Sequence, residues 1–368
     1  MKKIKIVNVI SKMVYGGTES VIYNYYKNMD LSKFDLYIIT RDSSIKTAMN
    51  RFEDLGFKFI IVGDWEKYPF KVGKKLLGIL KDKHFDIIHV HLTHTNFYFL
   101  ILGYLSRIKV RISHSHLVSG KTNLITRVKH FVYKVLIKFF ATNNMACSVD
   151  AAKELYWGKK DTYILNNAID LEKYKYNEKV RDKYRNIFGI SDKKVYGSIG
   201  RMTYQKNQLF LMDIFSEIKK RDNNSKFLLV GNGELKNKII DRAKENGIFD
   251  DLIILSDRDD INNILQIIDV FILPSLYEGL GIVLIEAQES GIYCFASDKV
   301  VPIEAQATRN LEFVSLDLKA AEWARRIACK ESVRKDYTEI LTKKGFNIER
   351  EAKKLEKYYL SIYKGEGK

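Results

Sequence analysis

The sequence predicts an α/β protein made of two doubly wound parallel sheets, one following the other along the chain. Three observations carry this. Short apolar runs alternate with helical or polar stretches from the N-terminus onward; the alternation stops in a charged segment, Leu171 to Ser191, that has no strand signal; and it then begins again. The first series reads as strands at Ile4 to Ile10, Leu36 to Ile39, Lys58 to Val62, Asp86 to His91, Val110 to Ser113 and Asn144 to Ser148. The second reads as strands at Lys194 to Gly200, Lys226 to Gly231, Asp251 to Leu255, Asp269 to Leu273 and Tyr293 to Ala296. A length of 368 residues fits about two domains at roughly 150 residues each, and either half could bury a core. The domains are placed at residues 1–171 and 172–346, and Asn347 to Tyr363, within 347–368, should be a terminal helix. Two such sheets facing each other would bring the carboxyl ends of their strands to one central cleft, where doubly wound sheets bind ligands.

Composition narrows the setting. Three prolines and no Gly/Ser-rich tract argue against disordered linkers, and no repeat is visible. Cys147, Cys294 and Cys329 are scattered without C-x-x-C spacing, so neither a disulfide framework nor a zinc site is indicated, and a reducing cytoplasm fits. Met1-Lys2-Lys3 leads straight into a strand, which is not a signal peptide, and no apolar run reaches the length of a membrane span. The balance of 62 Lys+Arg against 45 Asp+Glu gives a formal charge of +17, which points to an anionic partner. No helix-turn-helix, zinc spacing or aromatic RNA-binding motif is present, so nucleic acid is not expected. An anionic membrane surface fits better. Residues 121–141 hold Lys121, Arg127, Lys129, Lys134 and Lys138 with no acidic residue, and Leu124, Ile125, Val128, Phe131, Val132, Val135, Leu136 and Phe139 follow a helical period among them. The plainer alternative is a core helix whose apolar stripe packs on the sheet.

The most informative stretch runs from Pro274 to Ala287, with Glu278 and Glu286 at its ends. It reads as strand, glycine turn and helix. Gly279 and Gly281 break the apolar run after Val270 to Leu273, and Ile282 to Glu289 is helical in character. The first N–H groups of that helix lack intrahelical partners and its dipole favours negative charge, so a phosphate can dock there. One carboxylate at the helix mouth and another two turns deeper suit a ligand with a diphosphate in its middle and hydroxyl-rich ends. Nucleotide-sugars have that shape.

With these residues the sequence resembles glycosyltransferase family 4, the retaining nucleotide-sugar enzymes of GT-B fold, whose E-x7-E motif the spacing matches. Further segments agree in order. Gly16-Gly17-Thr18-Glu19 resembles the family's glycine turn after the first strand, and Ile112-Ser113-His114-Ser115-His116 its strand ending in histidine. Asn167-Ala168-Ile169-Asp170 is similar to the family's N-G-[IV]-D, with Ala168 in place of the glycine, and Gly200-Arg201 through Lys206 resembles its basic G-R-x(4)-K loop. The resemblance implies two Rossmann-like domains, a final helix crossing back onto the N-terminal domain, an acceptor-binding first domain and a donor-binding second one.

Sugar transfer needs the leaving diphosphate neutralised as the glycosidic bond breaks. Arg201 and Lys206 follow a strand directly and can emerge at its carboxyl end; by resemblance they bind the donor's pyrophosphate. Glu278 by resemblance holds the donor sugar's hydroxyls, with Gly279, Leu280 and Gly281 along the sugar and phosphate, and Glu286 holds the ribose. Gly16 and Gly17 would let a phosphate or acceptor approach the backbone, and Arg258 lies in a loop that in similar enzymes is near the base. The family's active-site histidine maps best onto His116, and by a shift of two onto His114. Its neutral imidazole can orient a hydroxyl.

No metal and no cofactor is expected. A zinc reading of His89, His91 and His94 lacks a placed third ligand, and the plainer account has the first two rings alternating out of a strand end and exposed. The expected activity is retaining transfer of a sugar, from a UDP-sugar, onto a lipid-linked or saccharide acceptor in surface polysaccharide assembly, by a cytoplasmic protein peripheral on the inner membrane face. Two alternatives stay open. One is a nucleotide-sugar 2-epimerase of the same fold, and the other is a non-catalytic nucleotide-sugar binder. Gly231-Asn232-Gly233-Glu234 lacks the third glycine of a dinucleotide fingerprint, which disfavours NAD.

Overall fold

A computed structural model describes residues 2–13, 16–41, 46–116, 123–158, 161–330, 332 and 334–366. The chain divides into two compact units, one made of Met1–Ala168 with Ile348–Lys368 and the other of Ile169–Asn347.

Among the described residues the first unit carries a seven-stranded sheet. Its strands are β1 (Ile4–Val9), β2 (Phe34–Arg41), β3 (Lys58–Val62), β4 (Ile87–Val90), β5 (Val110–Ser115), β6 (Asn143–Ala146) and β7 (Thr162–Ile164). The order is β3-β2-β1-β4-β5-β6-β7, each neighbouring pair parallel. The chain steps outward from β1 to β3, then returns to β1 and steps the other way, so the topological switch lies between β1 and β4. Asn8 and His89 stand opposite each other there. The strand β4 is buried along its whole length, as expected for a central parallel strand covered on both faces. Phe99, Leu100, Leu76 and Leu80 pack with Val7, Val9, Ile88 and Val90 in one core of this unit. Each such side chain contributes about 1.5–3 kcal/mol on leaving water.

The helix Ile348–Lys364 belongs to this first unit. Its Tyr359 is fully buried and its hydroxyl lies 3.2 Å from that of Tyr26, while Glu356 accepts from the Asp30 N–H at 3.0 Å. The helix Leu124–Phe140, by contrast, turns its apolar stripe outward. Phe139 is 74% exposed, Leu124 73% and Phe131 60%, whereas Ile137 on the opposite side is buried and Tyr133 stacks on Phe97 at 4.3 Å. The core-helix alternative for this stretch does not hold, because the face toward the unit is the one carrying Tyr133 and Ile137. Lys121 lies outside the described residues.

The second unit carries a six-stranded sheet among the described residues. Its strands are β8 (Lys194–Ile199), β9 (Ser225–Val230), β10 (Leu252–Leu255), β11 (Val270–Leu273), β12 (Tyr293–Ser297) and β13 (Leu311–Val314), ordered β10-β9-β8-β11-β12-β13 and parallel throughout. The switch here lies between β8 and β11. The charged segment after Asp170 forms two helices, Leu171–Tyr174 and Glu178–Ile187, the first capped by Asp170. Trp323, Phe215, Phe227 and Phe271 are fully buried in this unit. The edge strands β7 and β13 answer to no apolar run in the sequence reading.

Candidate active site

The switch point of the second unit is where its polar residues gather. Arg201 and Lys206 follow β8, and Glu278 follows β11, the neighbouring strand. The loop 201–207 is tied to the loop 274–278 by three bonds: Leu276 N–H to Gln205 O at 2.8 Å, Gln205 Nε2 to Tyr277 O at 2.9 Å, and Asn207 Nδ2 to Pro274 O at 3.1 Å. These bonds deliver Lys206 Nζ to Glu278 Oε1 at 2.5 Å, and buried Ser275 donates its hydroxyl to the same oxygen at 2.8 Å. Glu278 is 5% exposed, so its charge depends on these partners. Arg201 is exposed at the same strand end.

Gly279, Leu280 and Gly281 are buried beside Glu278. Gly281 precedes the helix Ile282–Glu289 in the left-handed region, φ 76°, where a Cβ would sit 3.3 Å from Leu284 Cδ1. Among the described residues the N–H groups of Gly279, Leu280 and Gly281 meet no acceptor, and unpartnered donors at a helix N-terminus suit an anion. Glu286 lies in that helix, partly buried, and accepts from the Tyr174 hydroxyl at 2.8 Å. Burial pushes its carboxyl up to about 7, against the smaller opposing effects of Tyr174 and Lys173.

Two glycines hold the cation loop from below. A Cβ on Gly231 would stand 2.1 Å from Gly200 O, and one on Gly233 2.4 Å from Met202 O, because the 200–202 backbone lies directly on the turn after β9. Met202 N–H donates to Asn232 O at 2.9 Å and Leu235 N–H to Met202 O at 3.0 Å. Gly231-Asn232-Gly233 thus seats the Arg201 loop. Gly231→Ala, which also forces a side chain onto φ 145°, is expected to destabilise the protein by about 2–4 kcal/mol in urea unfolding. An unchanged midpoint would show that the contact yields without cost.

Arg258 stands apart from this group. It follows edge strand β10, separated from β8 by β9, and its guanidinium is engaged with Asp260 at 2.7 Å and 2.5 Å. Gly16 and Gly17 are in the first unit, at the start of the helix Gly17–Lys27, and a Cβ on Gly17 would meet nothing within 4 Å. Crowding therefore does not demand glycine at that position.

The switch point of the first unit holds a histidine cluster. His89 and His91 lie ring to ring at 4.0 Å, His114 and His116 at 3.9 Å. His89 Nδ1 is 2.7 Å from the Tyr359 hydroxyl and His89 Nε2 is 3.1 Å from His114 Nδ1; His91 Nδ1 is 2.8 Å from His116 Nε2. The expectation that His89 and His91 are exposed fails: both are buried, since β4 is an interior strand and Tyr359 closes over His89. Burial holds His89, His91 and His114 well below the ordinary imidazole range and lowers His116 to about 3, so all four are neutral near pH 7. His94 does not join them; it stacks on His130 at 3.7 Å. The group whose donor atoms come within 4.8 Å of one another is His89, His91 and His114. Their ring nitrogens are largely occupied by hydrogen bonds within the cluster. Asn8, Tyr26, Tyr359, Ser275, Gln205 and Tyr174 were not singled out from sequence. Ser275 lies inside the Pro274–Ala287 stretch, while Tyr174 precedes its partner by 112 residues and Tyr359 follows its partner by 270.

Two doubly wound parallel-sheet units in one chain, each with its polar cluster at a switch point, define the GT-B class of glycosyltransferases. The crystal structure of HepE from Anabaena in complex with UDP and glucose superposes with a TM-score of 0.75, at 16% identity, covering 97% of this chain and all of that one (100%). Residues 15–173 match the family model Glycosyltransferase Family 4 and residues 180–329 match Glycosyl transferases group 1, and the chain belongs to this family of glycosyltransferases. It is 29% identical over 333 residues to EpsF of Bacillus subtilis, covering 88% of this chain and 87% of that protein. It is also 29% identical over 317 residues to the UDP-Gal:α-D-GlcNAc-diphosphoundecaprenol α-1,3-galactosyltransferase of Escherichia coli, covering 80% of each. No helix among the described residues is long and apolar enough to cross a membrane.

Proposed function

We propose that this glycosyltransferase moves a hexose from a UDP-sugar to a lipid-linked or saccharide acceptor in bacterial surface polysaccharide assembly, with retention of anomeric configuration and without a metal ion. The observation that carries the reading is the Lys206–Glu278 pair beside the unpartnered N–H groups of Gly279 to Gly281, with Arg201 at the adjoining strand end. Cations and amide donors there meet the growing charge of the departing diphosphate. Glu278 takes the sugar's hydroxyls and Glu286 the ribose hydroxyls. The acceptor hydroxyl attacks the anomeric carbon from the face the diphosphate leaves, and a departing phosphate oxygen takes its proton. Arg258 is assigned near the base, and reaching it means exchanging its bond to Asp260. HepE bound to UDP and the Escherichia coli relative's UDP-Gal donor and diphosphoundecaprenol acceptor support the choice of UDP-sugar and lipid-linked acceptor. Mass spectrometry of mixtures of UDP-sugars with undecaprenyl-diphosphate saccharides tests it. Acceptor mass increased by one hexose is expected; epimerised donor without acceptor would make the protein a 2-epimerase instead.

The same proposal places the protein on the inner face of the cytoplasmic membrane through the helix Leu124–Phe140, not on nucleic acid. Its outward apolar stripe, Leu124, Ile125, Val128, Phe131, Val132 and Phe139, runs beside Arg127, Lys134 and Lys138, the arrangement an anionic interface favours. Reversing Lys134 and Lys138 to Glu should lower sedimentation with phosphatidylglycerol vesicles roughly 10-fold or more, at about 1 kcal/mol per lysine lost and again per acid gained. Equal sedimentation of both proteins would retire the membrane assignment.

A further inference from the structure

Asn8 sets the proton order of one of the two ring chains that leave it. It is wholly buried in β1, with Nδ2 at 3.1 Å and Oδ1 at 3.4 Å from the Tyr26 hydroxyl, and its Oδ1 lies 3.2 Å from His91 Nε2. An amide oxygen only accepts, so His91 carries its proton on Nε2. A neutral imidazole has one proton, so His91 Nδ1 is an acceptor, and the hydrogen in its 2.8 Å bond to His116 Nε2 belongs to His116. His116 is thereby left with a bare lone pair on Nδ1. Among the described residues nothing engages that nitrogen, and His116 is the one ring of the cluster that is not buried outright. The second chain, Asn8–Tyr26–Tyr359–His89–His114, has no such order, because hydroxyls at its centre both donate and accept. It ends at His114 Nε2, which is buried without a partner.

We infer that Asn8 and His91 are positioning residues that hold His116 as the Nε2–H tautomer, so that its Nδ1 accepts a hydrogen bond from a substrate hydroxyl. This rests on the assignment of His116 to the transferase site. The opposite tautomer would present N–H to the same hydroxyl and deprive it of its acceptor, a loss that second-layer orientation of imidazoles exists to prevent.

The tautomer can be read without any activity. In the full chain labelled with 15N-histidine, His116 is assigned by the resonances lost in His116→Gln, and two-bond 1H–15N correlations at about neutral pH report each ring nitrogen. A protonated Nε2 and bare Nδ1 on His116 are expected; a protonated Nδ1 overturns the inference whether or not the protein transfers sugar. Asn8→Leu removes the acceptor and is expected to mix the His116 tautomers and lower kcat roughly 10- to 100-fold with donor KM nearly constant. Asn8→Asp still only accepts, and should restore the Nε2–H form and most of the rate. An Asn8→Asp protein that is folded yet as impaired as Asn8→Leu would defeat the tautomer argument. Movement of the His116 Nδ1 resonance on adding UDP-sugar assigns the hydroxyl to the donor, and movement only on adding acceptor assigns it to the acceptor. No movement with either overturns the proposed contact.

Discussion

Lys206→Met is expected to lower kcat by roughly 100- to 1,000-fold and, independently, to destabilise the second unit by about 1–3 kcal/mol. The two effects have different causes. On the proposed role of Lys206, the rate falls because a cation facing the leaving diphosphate is gone at the moment its charge develops. The stability falls because Glu278, whose side chain is 6% exposed, loses the ammonium at 2.5 Å and keeps only the Ser275 hydroxyl on that oxygen. Lys206 is itself 17% exposed, which lets water in and keeps the cost below that of a sealed ion pair. The double variant Lys206→Met/Glu278→Gln separates the effects: removing the charge as well should return most of the stability and none of the rate. Thermal unfolding beside a UDP-release assay checks both. If the single variant turns over at the parent rate, the pyrophosphate role of Lys206 is lost; if the double variant is no more stable than the single, the pair does not govern Glu278.

Glu286→Gln should strengthen the ligand-free protein at alkaline pH while weakening its hold on UDP by about 10-fold or more. The folded carboxyl is pushed up from 4.5 to about 7 by burial. Between those values the folded chain keeps a proton that the unfolded chain has released, so the stability contribution of this group falls as pH rises through that window. It is intact below the unfolded value and fully forfeited above the folded one. Glutamine has no such slope. At about pH 8 the variant should therefore be more stable by roughly 1–2 kcal/mol, discounted for partial exposure, and at about pH 4.5 the two should coincide. Two ribose hydroxyls donating to a carboxylate would offset that burial only in the complex, so UDP affinity of the parent should rise from about pH 6 to about pH 8. Calorimetric titration with UDP across that range, with melting curves of both proteins, is the check. A variant that binds UDP like its parent would take Glu286 out of the ribose role, and parallel melting curves at all pH values would mean its carboxyl is not perturbed.

How far the molecule was readable depends on whether the signal was local. The interior strands were visible because a parallel strand covered on both faces is an unbroken apolar run, as in Val270 to Leu273, where every residue is buried. The strands β7 and β13 were not, since they are three and four residues long, stand at sheet edges and are only partly buried. Arg201, Lys206, Glu278 and Glu286 stand out in the sequence through their places near strand ends and glycines together with the family resemblance. That Lys206 meets Glu278 required the Gln205 and Asn207 bonds to the 274–278 loop. The histidines were misjudged as exposed because alternation along one strand says which face a ring takes, not what covers that face.

The amino-acid order alone determined the two sheets and the chemistry available after each strand, because side-chain periodicity and glycine placement act within a few residues. Tertiary structure decided the rest: which loops touch, the outward turn of the Leu124–Phe140 stripe, the seating of Arg201 on Gly231 and Gly233, and the burial of His89 beneath Tyr359. Those depend on contacts between residues tens to hundreds of positions apart, and a proton's place on His116 follows from an asparagine on another strand.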